Sequence, residues 1–141
     1  MLERVLEPEV MDSPEEAQDY NAMDHSQVNR VFVTDFLAVW NGLGPILDLG
    51  TGTALIPIEF CRQSPVGEIV GIDAAVHMLR VGRKNIKQAG LEARLQLTLV
   101  DAKQMPYSDG EFPALMSNSI IHHIPEPFGV FAELARVAAI R

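Results

Sequence analysis

The sequence has little cysteine, few aromatic residues and no long apolar run. Its one cysteine, Cys61, excludes a disulfide within the chain and is typical of a reducing compartment. No stretch approaches the roughly 20 apolar residues that cross a bilayer, and the first residues lack the hydrophobic region of a signal peptide. We therefore expect a cytoplasmic protein with no membrane partner. Apolar residues still make up 48% of the 141 positions, which suffices for one compact domain.

Basic residues are also scarce, and the deficit is concentrated at the N-terminus. The net charge is −8, and residues 1–24 hold eight acidic residues and one basic residue. Such a segment repels phosphate backbones, and no stripe of Lys or Arg occurs elsewhere, so we expect no nucleic-acid partner. The composition predicts a solvated acidic leader at residues 1–25, followed by a single domain at residues 26–141.

Short apolar runs alternate with helix-length segments along the rest of the chain. Most of these runs are too uniformly apolar for half-exposed antiparallel strands. The alternation predicts an α/β fold, with a parallel sheet, right-handed crossovers and helices on both faces. The predicted strands are residues 46–49, 69–72, 95–100 and 114–117, and the predicted helices are residues 26–40, 55–63, 76–89 and 127–137.

The turn after the first predicted strand combines a carboxylate with two glycines. It reads Asp48-Leu49-Gly50-Thr51-Gly52-Thr53-Ala54. Ligands of parallel sheets bind beyond the carboxyl ends of the strands, and glycine lets the backbone approach them closely. The following helix would present free N–H groups and a positive dipole end to an anionic group. By itself, the pattern is equally compatible with an ordinary strand-to-helix turn.

The second predicted strand is followed by a carboxylate, Asp73, which lies 21 residues beyond Gly52. A carboxylate at this place can accept hydrogen bonds from both hydroxyls of a ribose, or it can cap the next helix. Together with the glycine turn it favours an adenosine-containing ligand. A dinucleotide-binding turn has a third glycine where this chain has Leu55, so an NAD-dependent oxidoreductase is a distant alternative.

The pattern Asp48-x-Gly50-x-Gly52-x-Ala54 resembles motif I of the class I, Rossmann-like S-adenosylmethionine-dependent methyltransferases. Residues 71–79, 100–107 and 117–125 resemble the later motifs of that family, in the family's order. The resemblance extends over about residues 46–137. It implies S-adenosylmethionine as the cofactor and a sheet in which the four strands have the order 3-2-1-4.

The implied cofactor site draws on all four motifs. The resemblance places the backbone of the first motif under the methionine moiety of the cofactor, with its carboxylate near the ammonium group. The second motif would hold the ribose, and the third would accept a hydrogen bond from the adenine amino group. Met78 is equally a candidate for the core. The implied cofactor-binding residues are Asp48, Gly50, Thr51, Gly52, Asp73, Ala74, Met78, Asp101, Ala102 and Asn118.

The implied acceptor site is less defined, and no catalytic residue is assigned. Its candidates are His122 and His123 in the fourth motif and Tyr20, in a stretch that loosely resembles the family's N-terminal cover region. One histidine can act as a general base for a hydroxyl or amine acceptor, or both can have structural roles. We expect a small-molecule acceptor. Methyl transfer is a direct displacement that needs no metal, and the His and Cys residues show no zinc-site spacing.

The resemblance includes about four of the family's usual seven strands. Three interpretations follow: an incomplete copy that keeps the cofactor pocket, a chain completed by a partner, or a non-catalytic S-adenosylmethionine-binding fragment or interaction module. The fourth strand would lie at a sheet edge, which predicts self-association or a partner chain there. Pro113 removes one N–H donor next to this strand.

Overall fold

The computed structural model describes residues 13–22, 24–117 and 127–138. Every predicted helix and strand is present, with ends that differ from the prediction by at most one residue. In chain order the elements are α1 (Pro14–Ala22), α2 (Ser26–Val39), β1 (Ile46–Leu49), α3 (Leu55–Gln63), β2 (Ile69–Asp73), α4 (Val76–Ala89), β3 (Leu95–Leu99), β4 (Ala114–Ser117) and α5 (Pro127–Val137).

The four strands form one parallel sheet in the order β3-β2-β1-β4. This confirms the predicted α/β fold and the strand order that the family resemblance implies. Helices α3 and α4 join β1 to β2 and β2 to β3, because a parallel pair needs a crossover connection, whereas β3 is joined to β4 by a segment without a helix. None of the helices in the described ranges is both long enough and apolar enough to cross a membrane.

Two hydrophobic cores lie on opposite faces of the sheet, because neighbouring residues of a strand point to opposite sides. Ile46 belongs to the first core, beneath α2, α3 and α4, and Leu47 belongs to the second, beneath α5. Every residue of β1 is therefore buried. The first core includes Val33, Ile58, Phe60, Ile69, Leu79 and Ile86, and the second includes Leu49, Ile72, Met105, Phe112 and Val137.

The carboxyl ends of the strands meet at one edge of the sheet. Leu49 at the end of β1 pairs with Ile72 on one side and Ser117 on the other. The backbone N–H of Val100 donates to the carbonyl of Asp73 (3.0 Å), which continues the contact between β2 and β3 beyond the strands. The segments that follow β1, β2 and β3 therefore begin side by side.

Part of the predicted acidic leader is a helix that packs on the domain. Ala17 of α1 is fully buried. Nδ2 of Asn85, on α4, donates to Oδ1 of Asn21 at 2.7 Å and to the carbonyl of Thr53 at 2.9 Å. One side chain thus connects α1 to the turn after β1. The domain boundary at residue 25 stays a prediction.

Candidate functional site

The turn after β1 is bound to the end of β2. The backbone N–H groups of Gly50 and Thr51 both donate to the carbonyl of Ile72, at 2.9 and 3.0 Å. The turn has positive φ at Gly50 (73°), Gly52 (58°) and Ala54 (67°). The left-handed conformation is uncommon for a residue with a Cβ, so the shape of this turn depends on its two glycines. The predicted glycine turn therefore lies at the carboxyl edge of the sheet.

Asp73 joins the glycine turn to the start of α4. Its Oδ2 accepts a hydrogen bond from the N–H of Gly52 (2.9 Å), and its Oδ1 accepts one from the N–H of Ala75 (2.9 Å). The sequence alone left ligand binding and helix capping as alternatives for this residue. The structure shows that its carboxylate binds both the glycine turn and the residue that precedes α4, while Asp73 itself stays half-buried.

Asp48 is a buried carboxylate at the base of the same turn, only 2% exposed. Burial raises its pKa to about 7; the Thr51 hydroxyl opposes this shift and the Asp73 carboxylate adds to it. Among the described residues, three buried oxygens around the turn lack a partner with hydrogen-bonding geometry: Asp48 Oδ2, Thr51 Oγ1 and Thr53 Oγ1. Unpaired buried polar atoms are costly in a folded protein and are typical of functional sites. This set suits a ligand that carries a cationic hydrogen-bond donor.

Tyr20 of α1 lies within electrostatic reach of this turn. Burial raises the pKa of its hydroxyl, and the carboxylates of Asp48 and Asp73 raise it further. Its ring stacks on His25, with centroids 4.3 Å apart and planes inclined by 26°. Nε2 of His25 is also 2.9 Å from the Tyr20 carbonyl. The tyrosine predicted from the sequence is thus near the predicted carboxylates, although it is far from them in the chain.

The remaining predicted residues lie around the same edge or outside the described ranges. Ala74 is exposed and Met78, in the first turn of α4, is half-buried. Asp101 is exposed just beyond β3, and its Oδ1 accepts from the N–H of Lys103 (2.9 Å), whereas Ala102 is buried. Asn118, His122 and His123 lie outside the described residues. In the part of the chain that the structure describes, no group of three or more His, Cys, Asp or Glu side chains could hold a metal ion.

Two glycines that the sequence reasoning did not single out leave room for the residues of the glycine turn to pack against β2 and α4. A Cβ on Gly71, in β2, would lie 2.5 Å from Oγ1 of Thr51. A Cβ on Gly82, in α4, would lie 2.8 Å from Cδ1 of Leu97 and 3.2 Å from the carbonyl oxygen of Gly52. Each glycine lies inside a regular element, where it is unfavourable unless another group packs closely against it. That unusual placement is the sequence signal by which they could have been found.

A polar cavity of about 430 Å³ lies behind the turn, between α1, α2, α3 and α4. Asn85, which binds the Thr53 carbonyl, is one of its lining residues, and Glu59 and Arg62 are others. The lining residues of this cavity therefore come from the four helices and the segment between α1 and α2.

Comparison with known proteins places these features in a family. Residues 46–139 match a family model described as a methyltransferase domain. A ubiquinone/menaquinone biosynthesis C-methyltransferase (UbiE) of Citrifermentans bemidjiense is 33% identical over 98 residues, which cover 69% of this chain and 42% of the relative. A phosphatidylethanolamine N-methyltransferase of Cereibacter sphaeroides is 32% identical over 95 residues, which cover 67% of this chain and 45% of the relative. The chain spans less than half the length of these relatives.

Solved structures share the same fold at low sequence identity. A SAM-dependent methyltransferase from Aquifex aeolicus superposes with a TM-score of 0.72 at 20% identity, covering 89% of this chain and 67% of that one. Phospholethanolamine N-methyltransferase 2 of Haemonchus contortus, in complex with phosphomonomethylethanolamine and S-adenosylhomocysteine, has a TM-score of 0.70 at 20% identity, covering 80% of this chain and 26% of that one. At this identity the likeness is one of fold.

Proposed function

Because the chain belongs to the class I S-adenosylmethionine-dependent methyltransferase family, we propose that it binds S-adenosylmethionine across the carboxyl ends of β1, β2 and β3. The observation that carries the proposal is the joined arrangement of the glycine turn and Asp73, with unpaired buried oxygens of Asp48, Thr51 and Thr53 around it. When bound, the cofactor supplies a methyl group on a positively charged sulfur. The protein's part is then alignment and electrostatics.

The methionine end of the cofactor is assigned to the turn after β1. Asp48 would pair with the α-ammonium group, which would satisfy its unpartnered Oδ2 and favour the ionised carboxylate. Gly50, Thr51 and Gly52 would pass beneath this end of the cofactor. Support comes from the open space above Gly52, where an added Cβ would meet no atom within 4 Å.

The adenosine end is assigned to the segments after β2 and β3. Asp73 would accept from the ribose hydroxyls while it holds the Gly52 and Ala75 N–H groups, since a carboxylate offers about four acceptor positions. Asp101 would accept from the adenine amino group. Ala74, Met78 and Ala102 would line the adenosine, and we propose Asn118 as a further contact from the segment after β4.

The acceptor is proposed to be a small molecule bound beside Tyr20, His122 and His123. The near position of the Tyr20 hydroxyl to the two site carboxylates supports its place in this list. One relative is named for ubiquinone/menaquinone biosynthesis and the other for phosphatidylethanolamine, which supports a small organic acceptor. The absence of a basic stripe in the sequence agrees with this class of acceptor. A non-catalytic S-adenosylmethionine-binding module, with the same cofactor site, remains the alternative function.

Titration calorimetry with S-adenosylmethionine, S-adenosylhomocysteine and NAD tests the cofactor assignment. We expect S-adenosylmethionine and S-adenosylhomocysteine to bind. NAD should not bind at concentrations at which S-adenosylhomocysteine saturates the protein, because Leu55 replaces the third glycine of a dinucleotide-binding turn. Gly52→Val should reduce the affinity for S-adenosylhomocysteine at least tenfold, since its side chain would enter the proposed ligand space. Gly42→Val is the matched control, because Gly42 also has positive φ (83°) and open space around it. NAD binding at comparable affinity would overturn the assignment.

We further propose that the outer edge of β4 receives a partner strand. Within the described residues β4 pairs with β1 alone, and its other edge meets no strand. Unpaired edges promote association, so light scattering should detect oligomers of the 141-residue chain, and a longer chain carrying the family's further strands should be monomeric.

A second surface through which chains could associate is the exposed apolar face of α2, where Val28 and Val39 are 69% and 81% exposed. Loss of the oligomers in Val28→Lys with Val39→Lys, or a monodisperse monomer of the unaltered chain, would contradict association through β4.

A further inference from the structure

A charged pair on α5 holds the backbone of Met105 from both sides. Oε2 of Glu133 accepts a hydrogen bond from the Met105 N–H at 2.6 Å, and Nη2 of Arg136 donates to the Met105 carbonyl at 2.8 Å. Nη1 of Arg136 donates to the Tyr107 carbonyl at 2.5 Å and to Oδ1 of Asp109 at 3.0 Å. The two side chains also bind each other, with the guanidinium at 2.9 Å from each carboxylate oxygen. The connection between β3 and β4 is therefore bound to α5 through charge-assisted bonds, which are the stronger kind.

Glu133 and Arg136 are both ionised near neutral pH. The Arg136 guanidinium, and after it the Met105 N–H, lower the pKa of Glu133 to about 2. Glu133 and Asp109 in turn raise the pKa of Arg136. Both members are only partly accessible, with side chains 18% and 31% exposed. Near neutral pH, both groups that bind the Met105 backbone are therefore charged.

Met105 lies four residues after Asp101, the residue assigned to the adenine. Asp101 is followed by a tight turn, in which its carbonyl accepts from the Gln104 N–H (2.9 Å) and its Oδ1 accepts from the Lys103 N–H (2.9 Å). Met105 comes directly after this turn. Before the turn, the Val100 N–H is bound to the Asp73 carbonyl. The loop that carries Asp101 is thus fastened at one end by β2 and at the other end by the pair on α5.

The end of α5 has a second attachment that does not use these side chains. The carbonyls of Arg136 and Val137 accept from the N–H groups of Gly110 (2.7 Å) and Phe112 (2.8 Å). Val137 is also fully buried in the second core. Substitution of the charged pair should therefore leave α5 docked and alter chiefly the segment that follows Asp101.

From this geometry we propose that Glu133 and Arg136 are positioning residues that set the orientation of Asp101 toward the adenine amino group. The inference rests on the proposed function. It assigns to α5, which lies outside the glycine turn and the acidic strand ends, a part in the choice of base.

The test compares S-adenosylhomocysteine with S-inosylhomocysteine, in which oxygen replaces the purine amino group. The unaltered protein should prefer the adenine compound at least tenfold, because Asp101 would face an acceptor in the inosine compound. Arg136→Lys cannot bind the two carbonyls and both carboxylates at once, since a lysine has three donors and lacks the planar five-donor fork of an arginine. We expect it to weaken S-adenosylhomocysteine about tenfold and S-inosylhomocysteine less than threefold, so that the preference falls. Glu133→Gln should lower the preference in the same direction.

The controls separate positioning from stability and from the proposed function itself. Arg62→Lys alters a comparable pair, with Glu59 on α3, whose arginine is 69% exposed, and should leave the preference unchanged. Equal weakening of both compounds in Arg136→Lys and Glu133→Gln would mean a merely structural role and would overturn the inference. A lack of preference in the unaltered protein would overturn it as well. Failure of the unaltered protein to bind S-adenosylhomocysteine would instead refute the proposed function.

Discussion

Asp73→Ala should weaken S-adenosylhomocysteine binding by about 1–3 kcal/mol, because the variant loses a charge-assisted contact to the ribose. The loss should lie near the upper end of that range, since the same carboxylate holds the N–H groups of Gly52 and Ala75. The affinity of Asp73→Asn for S-adenosylhomocysteine should lie between those of the unaltered protein and Asp73→Ala, because an amide keeps one acceptor oxygen but loses the charge. Titration calorimetry measures all three affinities.

Asp35→Ala is the matched control for this substitution. Asp35 is an exposed carboxylate on α2, and its loss should change neither stability nor affinity measurably. Circular dichroism should show that Asp73→Ala is folded before its affinity is interpreted. An unchanged affinity in a folded Asp73→Ala protein would remove this residue from the cofactor site.

Asp48→Asn should stabilise the ligand-free protein at high pH and weaken cofactor binding. The pKa of Asp48 is raised from the ordinary value near 3.9 to about 7. A carboxyl group with a raised pKa favours the folded state below its unfolded pKa, and this advantage is lost as pH rises through the folded pKa. The free energy of unfolding of the unaltered protein should therefore fall between pH ~4 and ~8 by up to about 2–4 kcal/mol from this group. Asparagine does not titrate, so the variant should lack that part of the fall.

Urea unfolding at pH ~5 and pH ~8 measures the difference, and calorimetry at pH ~8 measures the affinity for S-adenosylhomocysteine. The variant should gain stability relative to the unaltered protein as pH rises, and its affinity should drop because the ammonium group loses its counter-charge. Asp35→Asn provides the control at an exposed position. A stability difference that does not depend on pH would show that Asp48 is ionised throughout this range in the folded protein.

Much of the fold and part of the candidate site could be predicted from local patterns. Uniformly apolar runs and helix-length segments placed the four strands and helices α2 to α5 to within one residue, because burial on both faces of a parallel sheet leaves a strong compositional signal, whereas α1 lies in the segment predicted to be a solvated leader. Local patterns also identified part of the site, namely Gly50, Gly52 and Asp73. A tight turn and a strand end restrict the residue types at particular positions, so short motifs there are informative.

Other properties of the site depend on contacts between distant segments. Tyr20 comes near Asp48 only because α1 is packed on α4, and the unpartnered oxygens around the turn follow from burial that no local pattern measures. Asn118, His122 and His123 stay predictions, because they lie outside the described residues.

By itself, the sequence determined where the four strands and helices α2 to α5 lie, where the glycine turn lies and which family the motifs resemble. Those features depend on the residue types within a few positions of one another. Only the tertiary structure decided that Asp48 is buried beside Asp73, that Gly71 and Gly82 leave room for the turn, and that α5 holds Met105. Glu133 is 28 residues from Met105 in the chain. Contacts of this kind arise from the packing of whole elements, which places side chains together without leaving a mark in the local sequence.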